Sequence, residues 1–295
     1  MVTIGIFDGV HTGHLLILDK LKEIAAHTGG ESVVITLWPH PRMVLQPGLQ
    51  NLRLLTTMEE KQELLASKGI DQLVIIPFTP EFSQLTSCVF IRQYLVEQIG
   101  MHHFVVGFNH HFGKDREGDI EKIRECARDY HFTLEKLDAR QVGGLEVSSS
   151  LIREWIEKGD IEGANRLLGY TYSLSGTVVD GNRLGRSIGF PTANIKPAEA
   201  YKLVPPSGVY AVKVLVDGNT YGGMLNIGIR PTLDTGNKHN TIEVNIFGLD
   251  QDLYGKAISV AFHRKLREEM KFPDLERLRQ QLETDRINAL NVLQN

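Results

Sequence analysis

The hydrophobic pattern changes character near Gly169, and that change limits the fold more than any other feature of the chain. Before it, short apolar runs alternate with amphipathic helical faces. Residues 2–7, 32–37, 73–76, 104–107 and 132–137 read as strands. Helical faces open at Leu15, at the Thr57-x-x-Glu60 capping box, at Phe90 and at Ile120. Apolar strands separated by amphipathic helices predict a parallel sheet covered on both faces. After Gly169, residues 174–179, 209–216, 220–227, 241–247 and 258–262 follow one another as strands, and Asp217-Gly218-Asn219 is a hairpin turn between two of them. Such a succession closes into a small barrel or sandwich. Leu275, Leu278, Leu282, Ala289 and Leu293 mark a final amphipathic helix. A length of 295 residues suits two domains, with the boundary expected within residues 161–169.

The opening stretch carries the first chemistry. Residues 2–7 lead through Asp8-Gly9 into a helix that begins with His11-Thr12-Gly13-His14. The two histidines stand three residues apart, on one helical face. Backbone N–H groups and the positive end of the helix dipole make this place an anion site, and two imidazoles can donate further bonds to a polyphosphate. His-x-Gly-His at a strand-to-helix junction points to adenylyl transfer from ATP. Zinc binding by the pair is the competing reading, disfavoured because no cysteine is near. His11, His14, Pro39, His40 and Asn109 all fall just past strand ends, where parallel sheets bind ligands.

The second half holds a glycine-rich segment, residues 181–189, with Arg183 and Arg186, leading into Phe190-Pro191-Thr192-Ala193-Asn194. Gly181, Gly185 and Gly189 would let backbone N–H groups approach phosphate, with the arginines balancing its charge. A plain hairpin loop is the alternative, and the ending of a Walker loop is absent. Thr192 and Asn194 face one side of an extended segment and offer oxygen atoms suited to Mg²⁺. Glu243, mid-strand, is either a solvated glutamate or a general base that deprotonates a substrate hydroxyl.

Composition excludes several classes. A net charge of −4 gives no global attraction to nucleic acid, and no apolar run nears the ~20 residues that a membrane helix needs. The start lacks a basic leader with a cleavage site. Cys88 and Cys126 read as separate buried thiols of a reducing compartment. A cytoplasmic protein without nucleic-acid or membrane partners is expected, and nothing in the sequence indicates an oligomeric state.

Together these motifs carry a resemblance over nearly the whole chain. The first set is residues 5–14, Pro39-His40-Pro41, Gly107-x-Asn109-x-x-Phe112-Gly113 with Arg116 and Gly118, and Ser148-Ser149-Ser150-x-Ile152-Arg153. The second set is Gly185-Arg186 with residues 189–194, Gly208-Val209-Tyr210-Ala211, Asn226-Ile227-Gly228-x-Arg230-Pro231-Thr232, Glu243 and Leu253-Tyr254-Gly255. The chain resembles the bifunctional prokaryotic riboflavin kinase/FAD synthetase family. The resemblance implies a Rossmann-like α/β nucleotidyltransferase domain over residues 1–165. An antiparallel β-barrel kinase domain with a C-terminal helix would follow over residues 166–295. It also implies riboflavin, FMN and ATP as substrates, with Mg²⁺.

By the same resemblance, His11, His14, Asn109 and Arg153 serve adenylyl transfer and Glu243 serves phosphorylation. Gly5, Phe7, Asp8, Gly9 and Ser148 to Ser150 would line ATP, with Gly181, Arg183, Gly185, Arg186 and Gly189 in the kinase. Trp38, Pro39, His40 and Pro41 would meet the flavin, and Thr192 and Asn194 the metal. The serines could equally cap the helix that follows. Departures from the family pattern are Trp38 for phenylalanine, His110 for an aromatic residue, Ser150 for threonine and Asn245 for histidine. A monofunctional kinase with a degenerate first module and a non-catalytic flavin- or nucleotide-binding regulator are the alternatives.

Overall fold

In the first half, runs such as Val33-Val34-Ile35 are apolar at every position, because their sheet is buried from both sides. The computed structural model describes residues 1–46, 52–107, 120–138, 141–181, 185, 188–231 and 238–294. Asn109, His110, Phe112, Gly113, Arg116, Gly118, Arg183, Arg186 and Thr232 lie outside the described residues. The chain forms two compact units, Met1–Ser149 and Ser150–Asn295.

The first unit is a five-stranded parallel sheet of β1 (Val2–Ile4), β2 (Val33–Trp38), β3 (Gln72–Pro77), β4 (His103–Val106) and β5 (Thr133–Lys136), in the order β3-β2-β1-β4-β5. On one face Val2, Ile4, Val33 and Ile35 pack with Phe104 and Val106 under Phe90 and Ile91 and under Ile123 of α5 (Ile120–Tyr130). On the other, Val34 and Val105 meet Leu18 and Leu21 of α1 (Thr12–Thr28) and Leu65 of α3 (Met58–Ser67). A short helix, α2 (Pro41–Leu45), follows β2. The expected capping box starts α3, with Thr57 and Glu60 bonded reciprocally. The opening strand is shorter than its apolar run because Phe7 turns to a left-handed φ of 49°.

The cysteines correct the sequence reading. Cys88, on α4 (Ser87–Phe90), and Cys126, on α5, form a disulfide with their Cα atoms 6.0 Å apart. The two helices pack against each other, so residues 38 positions apart in sequence meet in the core. One ground for expecting a reducing compartment falls away with that bond.

The second unit, from Ser150, opens with α6 (Ser149–Lys158) and α7 (Ile161–Leu168), the latter covering the segment of the expected boundary. Asn165 of α7 donates to the Phe262 carbonyl and accepts from the Tyr172 N–H. A small hairpin of β6 (Gln141–Val142) and β7 (Leu145–Glu146) belongs to the first unit. The strands of the second are β8 (Ser173–Val179), β9 (Ala193–Pro197), β10 (Gly208–Val216), β11 (Asn219–Pro231), β12 (Lys238–Ile246) and β13 (Ala257–Arg267). All antiparallel, they close into a barrel in the order β10-β11-β12-β9-β8-β13. Asp217 and Gly218 make the expected hairpin turn, both at positive φ. The terminal helix α8 (Leu275–Gln294) lays Leu282, Ala289 and Leu293 against Phe190, Ala211 and Met224.

One ion pair pins that helix. Asp285 is fully buried, accepts two bonds from the Arg267 Nε and Nη2 at 2.9 and 2.6 Å, and takes a third from Gln281. Losing one partner of a buried pair leaves the other charge uncompensated. Asp285→Ala is expected to destabilise the second unit by about 3 kcal/mol, read as a lowered midpoint in urea unfolding, and Asp285→Asn by less.

Candidate active sites

At the carboxyl end of β1 the chain does not continue straight into α1. Phe7, Gly9 and Val10 take positive φ values of 49°, 81° and 34°, strained for the two that are not glycine. Anchors on all sides hold the turn. The Asp8 carboxylate accepts the backbone N–H groups of Leu55 and Thr56 at 2.8 and 3.2 Å, and the Thr56 hydroxyl accepts from the Gly9 N–H. Ser149 Oγ donates to the Asp8 carbonyl at 2.9 Å. Asp8 is therefore turned into the protein, and its part in any phosphate site is to shape the backbone. Phe7 likewise packs on the His14 ring.

The turn delivers His11 as the N-cap of α1 and His14 two residues inside that helix. The His11 Nδ1 accepts the His14 backbone N–H, so a neutral His11 carries its proton on Nε2. The two rings stack at 3.6 Å with 16° between their planes. The His14 Nδ1 is buried and meets no hydrogen-bond partner among the described residues. Burial first, then the neighbouring His11 and Lys61, holds the His14 pKa well below its ordinary value. The neutral ring, with its proton on Nε2, is thus the form that fits, because an imidazolium would leave a buried N–H unsatisfied.

Other expected residues share this end of the sheet. Trp38 closes β2, next to β1, and the Trp38–Pro39 peptide bond is cis. His40 caps α2 by accepting the Arg42 N–H, and Pro41 fills its first position. Gly5 faces the Phe7 ring so closely that a Cβ there would press on it. Ser148 precedes α6. In the second unit, Arg153 donates from its guanidinium to Ser150 Oγ on the same helix.

The second unit has a cavity of about 450 Å³ at one end of the barrel. Gly181, Thr192 and Asn194 line it, together with Asp180, Asp252 and Tyr254. The Asn194 side chain lies where a Cβ of Gly181 would be, so only glycine fits there. Gly185 accepts the N–H groups of Ile188 and Phe190, and Gly189 has a φ of 84°. Glu243 of β12 pairs with Asn194 of β9, and its carboxylate accepts from the Thr192 hydroxyl at 3.4 Å. Asn245 donates to the Pro191 carbonyl at 2.7 Å and so fixes the segment that carries Thr192.

Thr192, Asn194 and Glu243 offer hard oxygen donors at one strand crossing, which suits a divalent cation that takes its remaining ligands from phosphate and water. No group of three or more His, Cys, Asp or Glu side chains able to hold a metal occurs among the described residues. The sequence reading missed Asp180, Asp252 and Lys61. Tyr254 was noted only as part of a motif. The turn residues 248–252 between strands were the available signal for Asp252.

A parallel α/β unit with a histidine pair at a helix N-terminus, followed by a closed barrel with a polar-lined cavity, is the architecture of a two-module transferase. The sequence matches the FAD synthetase family over residues 1–151 and the riboflavin kinase family over residues 168–293. A relative from Listeria monocytogenes, named bifunctional riboflavin kinase/FMN adenylyltransferase, is 39% identical over 97% of this chain and 90% of its own. A Bacillus subtilis protein of the same name is 36% identical over 100% of this chain and 93% of its own. The chain belongs to the bifunctional riboflavin kinase/FMN adenylyltransferase family. A solved Streptococcus pneumoniae structure, described as a macrolide-efflux protein, superposes with a TM-score of 0.91 at 29% identity, covering 98% of this chain and 93% of that one. No helix among the described residues of the present chain is long and apolar enough to cross a membrane.

The buried His14 gives a pH signature. Its folded pKa lies below the ordinary 6.5, so the unfolded chain binds the proton more readily. The stabilisation is complete above about pH 6.5 and is lost as the pH falls. The urea midpoint of the first unit is expected to drop between about pH 7.5 and 5.5, and His14→Gln to flatten that drop.

Proposed function

We infer that the chain converts riboflavin and ATP to FMN and ADP in its second module, and FMN and ATP to FAD and pyrophosphate in its first. Matches to both families and relatives named for both activities support this over a kinase with an inactive first half or a non-catalytic binder. The observation that carries it is the stacked His11–His14 pair at a helix N-terminus in one unit and a carboxylate on the Thr192 hydroxyl in the other.

The two sites face different chemistry. In the first module the FMN phosphate is already an anion, so attack on the α-phosphorus of ATP needs no base. The Nε2–H groups of His11 and His14 and the N-terminus of α1 meet charge that develops as pyrophosphate leaves. Gly5 and Gly9 keep the backbone close, and Trp38, Pro39, His40 and Pro41 form the flavin side. Asn109, Ser148, Ser149, Ser150 and Arg153 keep the phosphate-binding roles implied by the resemblance.

In the second module the nucleophile is a neutral ribityl hydroxyl. Glu243 takes its proton as the hydroxyl attacks the γ-phosphorus and ADP leaves. Glycines 181, 185 and 189, with Arg183 and Arg186, hold the phosphates. Thr192 and Asn194 hold Mg²⁺, which when bound neutralises phosphate charge. The reading includes a cytoplasmic location, in keeping with the need for ATP.

Riboflavin, ATP and Mg²⁺ incubated with the chain and separated by chromatography should give FMN first and then FAD. His14→Ala should stop the mixture at FMN. Glu243→Gln should cut FMN formation by about 10²–10⁴-fold while leaving FAD formation from added FMN intact. FMN without FAD from the unaltered chain, even with FMN and ATP supplied, would reject the reading of the first module.

A further inference from the structure

Lys61 is a charged side chain in an unusual place. It sits on α3, is 4% exposed, and its ammonium lies beneath the strained turn that precedes His11. Its Nζ donates to the Ile6 carbonyl at 2.7 Å and to the Thr36 hydroxyl at 3.4 Å, while Thr36 Oγ1 donates to the same carbonyl at 3.2 Å. Ile6 precedes the left-handed Phe7, where the chain has left β1 and its ladder. The Ile6 carbonyl is thus tied from α3 and from β2 at once.

We propose that Lys61 is a positioning residue for adenylyl transfer, holding from below the turn that delivers His11 and His14 and placing a fixed positive charge behind that pair. This rests on the reading of the first module given above. Burying an ammonium is costly unless it is bonded and faces an opposite charge. Both conditions hold, since Asp8, in the turn, attracts it. Burial lowers the Lys61 pKa to about 8, and Asp8 limits the fall, so the side chain is mostly a cation at neutral pH.

The titratable groups set around this point are Asp8 from the turn, His14 from α1 with His11 stacked on it, and Glu60, next to Lys61 on α3. Glu60 is occupied with the Thr57 N–H. Lys61 and His11 both disfavour a proton on His14. The cation thereby adds to burial in keeping His14 a neutral Nε2–H donor, a contribution that a merely space-filling side chain cannot make. A hydrophobic substitute of similar length would leave the Ile6 carbonyl with the Thr36 hydroxyl alone and remove the charge.

The test uses the full chain, with Lys61→Met beside the cation-retaining Lys61→Arg. For Lys61→Met, kcat for FAD formation from FMN and ATP is expected to fall on the order of a hundredfold, as for a misplaced catalytic group. KM is expected to stay within about threefold. The acid limb of the pH–rate profile should move to higher pH, because His14 loses a repelling charge. Riboflavin phosphorylation by the same preparation should not change, and Lys61→Arg should recover much of the FAD rate.

A Lys61→Met chain with the wild-type rate and acid limb, or one altered only in KM, would overturn the proposal. So would loss of the first unit's thermal transition in both variants, which would make Lys61 a residue of stability alone. The unaltered chain, run in parallel, separates the two claims. If it makes no FAD, the reading of the first module fails, and the Lys61 proposal fails with it. If it makes FAD and Lys61→Met does so equally well, only the role of Lys61 fails.

Discussion

The carboxylate of Asp8 accepting two backbone N–H groups from residues 55 and 56 is the contact on which the first site depends. A chain leaving a parallel strand has no reason of its own to pass through left-handed φ at Phe7 and Val10, the second of them β-branched. It does so because the Asp8 side chain, the Gly9 N–H and the Asp8 carbonyl each have a fixed partner, on residues 55, 56 and 149. The geometry of the turn then decides the rest. His11 arrives as a helix cap with its Nδ1 occupied, and His14 arrives beneath it with its Nδ1 enclosed. Neutral rings held in this way carry their protons on Nε2. Strain in the turn and preorganisation of the histidines are one arrangement seen from two sides.

The barrel solves a different problem. Its cavity and Glu243 belong to neighbouring strands, and the Thr192 hydroxyl is the point at which they meet. Thr192 lines the cavity while its hydroxyl reaches the carboxylate. Asn245 supports this by clamping the Pro191 carbonyl, just before Thr192. An amide serves for that clamp, so the histidine more common in the family is not required for it. The closed barrel and the buried Arg267–Asp285 pair that attaches α8 make a rigid frame for β9 and β12.

Much of the scaffold was legible because it rests on periodicity. The five parallel strands, the capping box of α3, the hairpin at Asp217-Gly218 and the final helix each follow from local pattern and turn chemistry. Several expected residues lie together: His11, His14, Trp38 and His40 at one end of the parallel sheet, and Thr192, Asn194 and Glu243 where β9 meets β12. What the sequence concealed was pairing across distance. Cys88 and Cys126 looked like separate thiols, since nothing local shows that α4 packs on α5. Asp8 looked like a phosphate contact, since only the fold brings residues 55 and 56 to its carboxylate. Lys61 carried no local signal at all, since its burial depends on where β1 ends.

Two active sites in one chain can differ in what they ask of protons, and here the difference is visible in which charged groups are buried. The first site surrounds His14 with features that keep it from taking a proton: enclosure, the stacked His11 and the lysine behind it. That suits an attack by an anion, where the protein supplies hydrogen-bond donors and takes up no proton. The second site leaves Glu243 partly exposed at the strand crossing, with its carboxylate on the Thr192 hydroxyl, a placement that suits the proposed base. A nucleophile that is already ionised calls for a preformed electrostatic cradle, and a neutral one calls for a base. The burial of the His14 ring and the partial exposure of the Glu243 carboxylate match those two demands under the proposed function.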